Sequence, residues 1–428
     1  MSPGRVVDPG PRTPDPGPGV VDPGPRTPDP GRRVRVLHAI TMLELGGAQR
    51  NTLDTVTRLD RGRFAAALAC ADRGELFAEA ETLPGVAFFP LRHLRREVRP
   101  LADLAALAEL RRAIRAFRPD VVHTHSSKAG ILGRAAARRE RVGVVVHSIH
   151  GFGFGPHQRA PVRALFLAAE RIAARWTTHF IAVSAENLAA GVRLGLFPRE
   201  RATVIRSGID LAAFRGAAGG AAVRAELGVP PDAPLVVQVA CFKAQKAPER
   251  FVALAARLAP RFPAAHFLLV GDGALRGPLE AARAAAALTG RLHLPGWRRD
   301  VPAVLDAATV VTLTSRFEGL PRALVEARAV GRPVVAMAVD GVVEAVRDGV
   351  DGFLVPEGDD EAMAARVGEL LADEALRRQF AARAGDGLDE FDRDVMVRRQ
   401  EELYLSLLRE ASGPRTPDPG PRGGREAG

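Results

Sequence analysis

The chain has 428 residues, 46% of them hydrophobic, and a formal net charge of +10. The length allows two or three domains. Cys70 and Cys241 are the only cysteines, which excludes a disulfide framework and a cysteine-rich zinc site and fits a reducing, cytoplasmic setting. No apolar run reaches the roughly 18 residues of a spanning helix, and the N-terminus lacks the charged-then-apolar pattern of a signal peptide. The charge is uneven: residues 32–206 carry 29 Lys/Arg against 15 Asp/Glu, whereas residues 207–412 carry 25 against 29. A basic half suggests an anionic partner: a lipid headgroup surface or a phosphate-bearing acceptor. Nucleic acid is disfavoured, because aromatics are 5% and no recognised binding motif occurs.

Residues 6–17 recur unchanged at 20–31, and most of the unit returns at 413–420. Such Pro/Gly density builds no core, so 1–31 and 412–428 are expected to be disordered tails. The folded part begins at Val34. Val34–Ile40 reads as a strand that feeds Gly46-Gly47, a turn permitting close backbone approach to a ligand. Residues 101–117 predict an amphipathic helix with Leu104, Leu107, Leu110, Ile114 and Phe117 near one stripe, ended by Pro119. Asp120–His125, Val142–His147 and Phe180–Val183 read as further strands.

A second series follows. Its strands are Leu235–Val239, His266–Val270, Val310–Thr312 and Val334–Met337. Helices Glu249–Leu258, Leu279–Leu288 and Pro321–Val330 fall between them. Glu361–Leu371 and Val395–Leu408 are helices near the end. The pattern predicts an α/β protein of two doubly wound parallel sheets in tandem, 32–206 and 207–390, followed by a C-terminal helix, 391–411. Gly216–Ala222, rich in Gly and Ala, suits a hinge.

Glu318 and Glu326 stand eight positions apart, with Gly319, Leu320 and Pro321 between them. Pro at a helix start loses nothing, and the free N–H groups and dipole there suit a phosphate. One carboxylate then sits in the loop and the other inside the helix. That layout fits a ligand with a central diphosphate and hydroxyls at both ends, such as a nucleotide-sugar. Among 60 Lys/Arg only Lys128, Lys243 and Lys246 are lysines. Two of the three cluster after the Leu235–Val239 strand, where a compact ammonium is a good partner for a phosphate.

In order and spacing these pieces, with Gly46–Arg50, Arg118–Gly130, His147–Phe152, Val204–Asp210 and Leu269–Gly273, resemble the retaining glycosyltransferases of family 4. The resemblance runs over roughly residues 34–410 and implies a GT-B fold: two Rossmann-like domains facing across a cleft. By resemblance, Glu318 holds hydroxyls of the donor sugar, Glu326 holds the ribose, and Lys246 neutralises the donor diphosphate. Gly319–Pro321, Gly46, Gly47, Gly271 and Arg206 complete the expected donor side. His125 would contact the donor sugar or the acceptor, with His123 its alternate. Lys128 and the loop at His150 are expected on the acceptor side. His123 and His125 lack an evident third metal ligand, and relatives need no Asp-x-Asp metal motif, so neither metal nor cofactor is expected. Leu269–Gly273 lacks G-x-G-x-x-G spacing, which disfavours NAD.

Two positions depart from the family pattern. Cys241 stands where relatives commonly have Arg, and Lys243 is the substitute charge. Asp340 precedes Gly341, and its carboxylate is expected to point away from a phosphate. The expected activity is transfer of a hexosyl unit, from a UDP-sugar by preference, to a saccharide or lipid-linked acceptor in cell-surface polysaccharide or glycan synthesis. A nucleotide-sugar epimerase and a non-catalytic nucleotide-sugar binding protein are the rivals. Arg92, Arg95, Arg96 and Arg99, with Arg111, Arg112, Arg115 and Arg118 on the next helix, read as a surface for anionic membrane at the inner leaflet.

Overall fold

The computed structural model describes residues 31–153 and 158–412. The terminal repeats, and residues 154–157 of the glycine-rich loop after His150, lie outside the described residues.

Two parallel sheets dominate. Strands β1 (Val34–Ala39), β2 (Phe64–Ala71), β3 (Val86–Leu91), β4 (Val121–His125), β5 (Val144–Ile149), β6 (His179–Ala182) and β7 (Ala202–Val204) form the first, in the order β3-β2-β1-β4-β5-β6-β7. Strands β8 (Leu235–Val239), β9 (His266–Val270), β10 (Leu292–Gly296), β11 (Val310–Leu313), β12 (Val334–Met337) and β13 (Gly352–Val355) form the second, in the order β10-β9-β8-β11-β12-β13. Each sheet reverses its strand order beside its first strand. Ligands of such sheets bind at that switch point, outside the carboxyl ends of the strands.

The central strands are mostly Val/Leu-rich and buried on both faces, as parallel strands covered by helices must be, whereas the edge strands β3 and β10 are only partly buried. Alternating strand and helix, expected from sequence, is what the chain forms. β2, β3, β7, β10 and β13 add to the strands read from sequence. β2 is Phe-Ala-Ala-Ala-Leu-Ala-Cys-Ala. Alanine is depleted in strands, but here small side chains let the helices approach both faces.

Helix Arg393–Ser412 returns from the second sheet to the first. Its Met396, Val397, Tyr404, Leu407 and Leu408 sit in one apolar cluster with Val36, Phe64, Val121 and Val146. Arg58 pairs with Asp394 at 2.5 and 2.8 Å, and the Asp60 N–H donates to Glu401 at 2.6 Å. The two passages of the chain between the sheets run side by side. The Ile209 N–H donates to the Phe391 carbonyl at 2.8 Å, and the Arg393 N–H donates to the Ile209 carbonyl at 3.0 Å. The Gly/Ala-rich segment is not a free connector. Helix Gly220–Leu227 starts within it, and the Gly220 N–H donates to Asp306 at 2.9 Å.

Candidate active site

The carboxyl ends of β1, β8 and β11 open onto one cleft of about 380 Å³. Gly46 and Gly47 follow β1, Lys243 and Lys246 follow β8, and Glu318 follows β11; all five line it, with Leu320, Pro321 and Glu326.

Lys246 closes a short 3₁₀ turn, Ala244–Lys246, before helix Pro248–Leu258. Between them Ala247 takes φ +44°, a left-handed conformation that costs a non-glycine residue about 1–2 kcal/mol. Its carbonyl and that of Lys246 accept from the Thr314 hydroxyl at 3.1 and 3.2 Å, which holds the turn against β11. The Lys246 ammonium thereby reaches both Glu318 oxygens, at 2.6 and 2.8 Å. The Glu318 side chain is 4% exposed. The ammonium therefore lies beside the turn that introduces the 322–329 helix, as the diphosphate reading requires.

Two glycines let three loops converge here. A Cβ on Gly319 would stand 2.3 Å from the His150 carbonyl oxygen, across the cleft. A Cβ on Gly341 would stand 2.0 Å from the Gly319 carbonyl oxygen. Asp340 accepts from the Glu318 N–H at 2.8 Å, so its carboxylate is turned onto the site loop rather than away from it. Burial pushes its carboxyl upward. Pro321 caps helix Arg322–Ala329 rather than forming its first turn. Glu326, one turn in, has its carboxyl pushed up by burial, opposed by the Arg322 guanidinium 3.7 Å away. Arg322 also reaches Asp54 of the first sheet's helix at 3.5 Å.

Lys243 pairs across the cleft with Glu44 at 2.7 Å, and Arg96 takes the same carboxylate at 2.6 Å. These cations hold the Glu44 carboxyl below its ordinary range against the opposing effect of burial. Cys241 also lines the cleft.

Several expected residues lie elsewhere. His125 is fully buried; its Nε2 meets His38 Nδ1 at 3.1 Å and its Nδ1 meets His150 Nε2 at 3.0 Å. His150 is the histidine that lines the cleft. His123 is buried between the Tyr404 hydroxyl at 2.6 Å and the Ser148 hydroxyl at 2.8 Å. Arg206 pairs with Glu344, and with Glu390 at 2.7 Å, outside the cleft lining. Gly271 is likewise absent from the lining, while its neighbour Val270 is present. Its φ of +142° instead lets the backbone pass the Ala240 carbonyl, 2.0 Å from where a Cβ would stand. Lys128 pairs with Asp103 at 2.6 Å.

Sequence reasoning missed Arg50, Gln245, Trp297, Arg298 and Arg322 in the lining. Arg322 stands directly after Pro321, so its place in the motif was the available signal. It also missed a third histidine. Ligand atoms of His38, His123 and His125 lie within 4.8 Å of one another. Five of those six ring nitrogens already have hydrogen-bond partners, so the geometry is that of a hydrogen-bonded network.

A second cavity of about 380 Å³ adjoins on the first sheet's side, lined by Ser127, Ser148, His150, Gly151, Phe152 and Phe180 among others. One open space thus carries cations and a helix start, and its neighbour is more apolar.

Residues 45–213 match the model of "Glycosyltransferase Family 4", and residues 221–386 match that of "Glycosyl transferases group 1". The chain is 31% identical over 350 residues to the 2-deoxystreptamine N-acetyl-D-glucosaminyltransferase of Streptomyces fradiae, covering 76% of this chain and 81% of that protein. It is 29% identical over 380 residues to the UDP-Gal:alpha-D-GlcNAc-diphosphoundecaprenol alpha-1,3-galactosyltransferase of Escherichia coli, covering 88% and 98%. Among solved structures, Anabaena HepE in complex with UDP-glucose superposes with a TM-score of 0.75 at 22% identity, covering 87% of this chain and all of that one.

Proposed function

Because the chain belongs to the family 4, group 1 glycosyltransferases, we propose that it moves a hexosyl unit from a UDP-sugar to a saccharide or lipid-linked acceptor, with retention at the anomeric carbon. The observation that carries this reading is the contact between Lys246 and Glu318 opposite Gly46–Gly47. The donor lies mainly on the second sheet. Its diphosphate takes Lys246, Lys243 and the N–H groups near Gly319. Glu318 turns to the sugar hydroxyls and Glu326 to the ribose. Trp297, at the end of β10, offers a flat apolar surface suited to a nucleobase.

The acceptor enters through the cavity beside His150 and Phe152. Its hydroxyl oxygen bonds to the anomeric carbon as the bond to the phosphate oxygen breaks, on the same face of the sugar. The proton leaves with that phosphate oxygen. Charge grows on the leaving diphosphate, and fixed donors aimed there lower the barrier. The transfer so described runs with lysine and backbone donors and calls for no metal. The UDP-bound neighbour and the diphosphoundecaprenol acceptor named for the Escherichia coli relative support donor and acceptor classes.

We place the work at the cytoplasmic face of a membrane. No helix among the described residues is long and apolar enough to cross one. Val98, Leu101 and Leu104 are 65%, 84% and 64% exposed, at the start of the helix flanked by Arg92, Arg99 and Arg112. Leu104 is thus surface rather than core, and Arg111 and Arg115 are engaged by Glu140. A thermal-shift panel of UDP-, GDP- and ADP-sugars tests the reading. At free ligand near 100 times Kd, the matching donor stabilises by about 2.7 kcal/mol. Absence of a shift with every nucleotide-sugar would overturn it.

A further inference from the structure

His38 on β1, His125 on β4 and His150 after β5 form a line of imidazoles that ends at the cleft. His38 Nδ1 meets His125 Nε2 at 3.1 Å, and His125 Nδ1 meets His150 Nε2 at 3.0 Å. Successive rings meet edge to edge and nearly parallel, with centroids 5.4 and 5.3 Å apart. The far end is closed: His38 Nε2 is buried and has no hydrogen-bond partner. At the near end, Nδ1 of His150 is the nitrogen left for the cleft that His150 lines. Burial keeps the three rings neutral, with His38 held down to about 3 and His150 to about 4.

A neutral imidazole donates from one nitrogen and accepts at the other. Both contacts join an Nδ1 to an Nε2, so one choice of proton position fixes all three rings. If every proton sits on Nδ1, each ring donates toward the cleft and His38 Nε2 keeps an unused lone pair. If every proton sits on Nε2, the chain runs backwards and His38 buries an N–H with no acceptor. Orphaned buried N–H groups are the rarer and costlier case. The adjoining His123 stands outside the line and is set by its own partners. The Tyr404 hydroxyl donates to Gln400 at 3.1 Å, so it accepts from His123 Nδ1–H at 2.6 Å.

We propose that His38 and His125 are positioning residues that hold His150 in its Nδ1–H form, so that the substrate meets an N–H donor and never an imidazole lone pair. The proposal rests on the reading that this cleft holds a nucleotide-sugar. His150 then grips an oxygen, of a sugar hydroxyl or a phosphate, and takes no proton from the acceptor. The inert end at His38 is what gives the line its direction.

Nitrogen NMR of histidine-labelled full-length protein, without substrate, reads the tautomer. His150 is assigned by its loss in His150→Gln. The expected result is Nδ1–H at His150; an Nε2–H signal there overturns the proposal whatever the protein transfers. His125→Phe keeps a ring but cuts the line. In the folded variant His150 should become a mixture of tautomers, and kcat should fall roughly ten- to hundred-fold with little change in donor KM. An unchanged tautomer in that variant also overturns it. Should the variant fail to fold, the wild-type spectrum decides alone. Loss of all transfer in wild-type protein with Nδ1–H intact would strike the functional reading and spare this one.

Discussion

The Tyr404 hydroxyl lies 2.6 Å from His123 Nδ1, although 281 residues separate them. The last helix is therefore wired into the middle of the first sheet. Tyr404→Phe strands a buried imidazole N–H and should cost about 1–3 kcal/mol in urea unfolding. Deleting residues 393–428 removes five buried apolar side chains at roughly 1.5–3 kcal/mol each. That is comparable with a whole domain's stability, so the truncated protein should unfold or aggregate. A truncated protein with unchanged stability would contradict this.

Glu318→Gln keeps the shape of the side chain and removes its charge. Transfer should fall by roughly 10²–10³-fold, while circular dichroism stays unchanged. Lys246→Ala should weaken donor binding and also leave the Glu318 carboxylate, now unpaired, in a buried site. The two effects share one contact, so a double-mutant cycle should show strong non-additivity. Wild-type turnover in Glu318→Gln would remove Glu318 from its assigned role.

Acid should unfold the protein early. An unfolded histidine takes up its proton near 6.5, whereas folded His150 and His38 do so only near 4 and 3. Between 6.5 and about 4, the unfolded state binds more protons, so stability falls as pH falls. Each such histidine contributes up to about 1.4 kcal/mol per pH unit in that window. Below about 4 folded His150 also protonates, and its contribution levels off. Melting temperature from pH 7 to pH 5 checks the slope; a flat profile contradicts buried neutral rings.

Leu101→Asp with Leu104→Asp should abolish binding to vesicles containing anionic lipid and leave transfer to a water-soluble acceptor near wild type. Both side chains are exposed and touch neither cleft. Retained vesicle binding would dismiss this face as the membrane contact.

Deleting residues 2–31 should leave the turnover of purified protein unchanged. The Pro/Gly repeat supplies no apolar face that the sheets could use. A large loss of turnover would show that the repeat has a role.

Much of the fold was readable because Val- and Leu-rich strands alternate with amphipathic helices. β2 escaped because its alanines carry no strand signature, and its place is set by its parallel pairing with β1 and β3. That Glu318, Lys246 and the glycine pair lie on one cleft was legible because each follows a strand end, where the ligands of such sheets bind. His125 was misplaced because sequence shows that two histidines share a strand face but not how deep that face lies. Arg206 was misplaced because an arginine near a loop gives no sign that Glu344 and Glu390 will engage it. Lys243 against Glu44 is legible only when both halves of the chain are seen together.

The paired passages at Ile209 and Phe391–Arg393 bear on how the molecule can flex. A single tether would let one lobe swivel in any direction. Two ribbons bonded edge to edge behave like a leaf spring, stiff within their own plane and against torsion, and compliant only across it. A movement of one lobe against the other would therefore have to bend both passages together. Any such motion would have to part Glu44 from Lys243 and Asp54 from Arg322, two of the pairs that link the lobes.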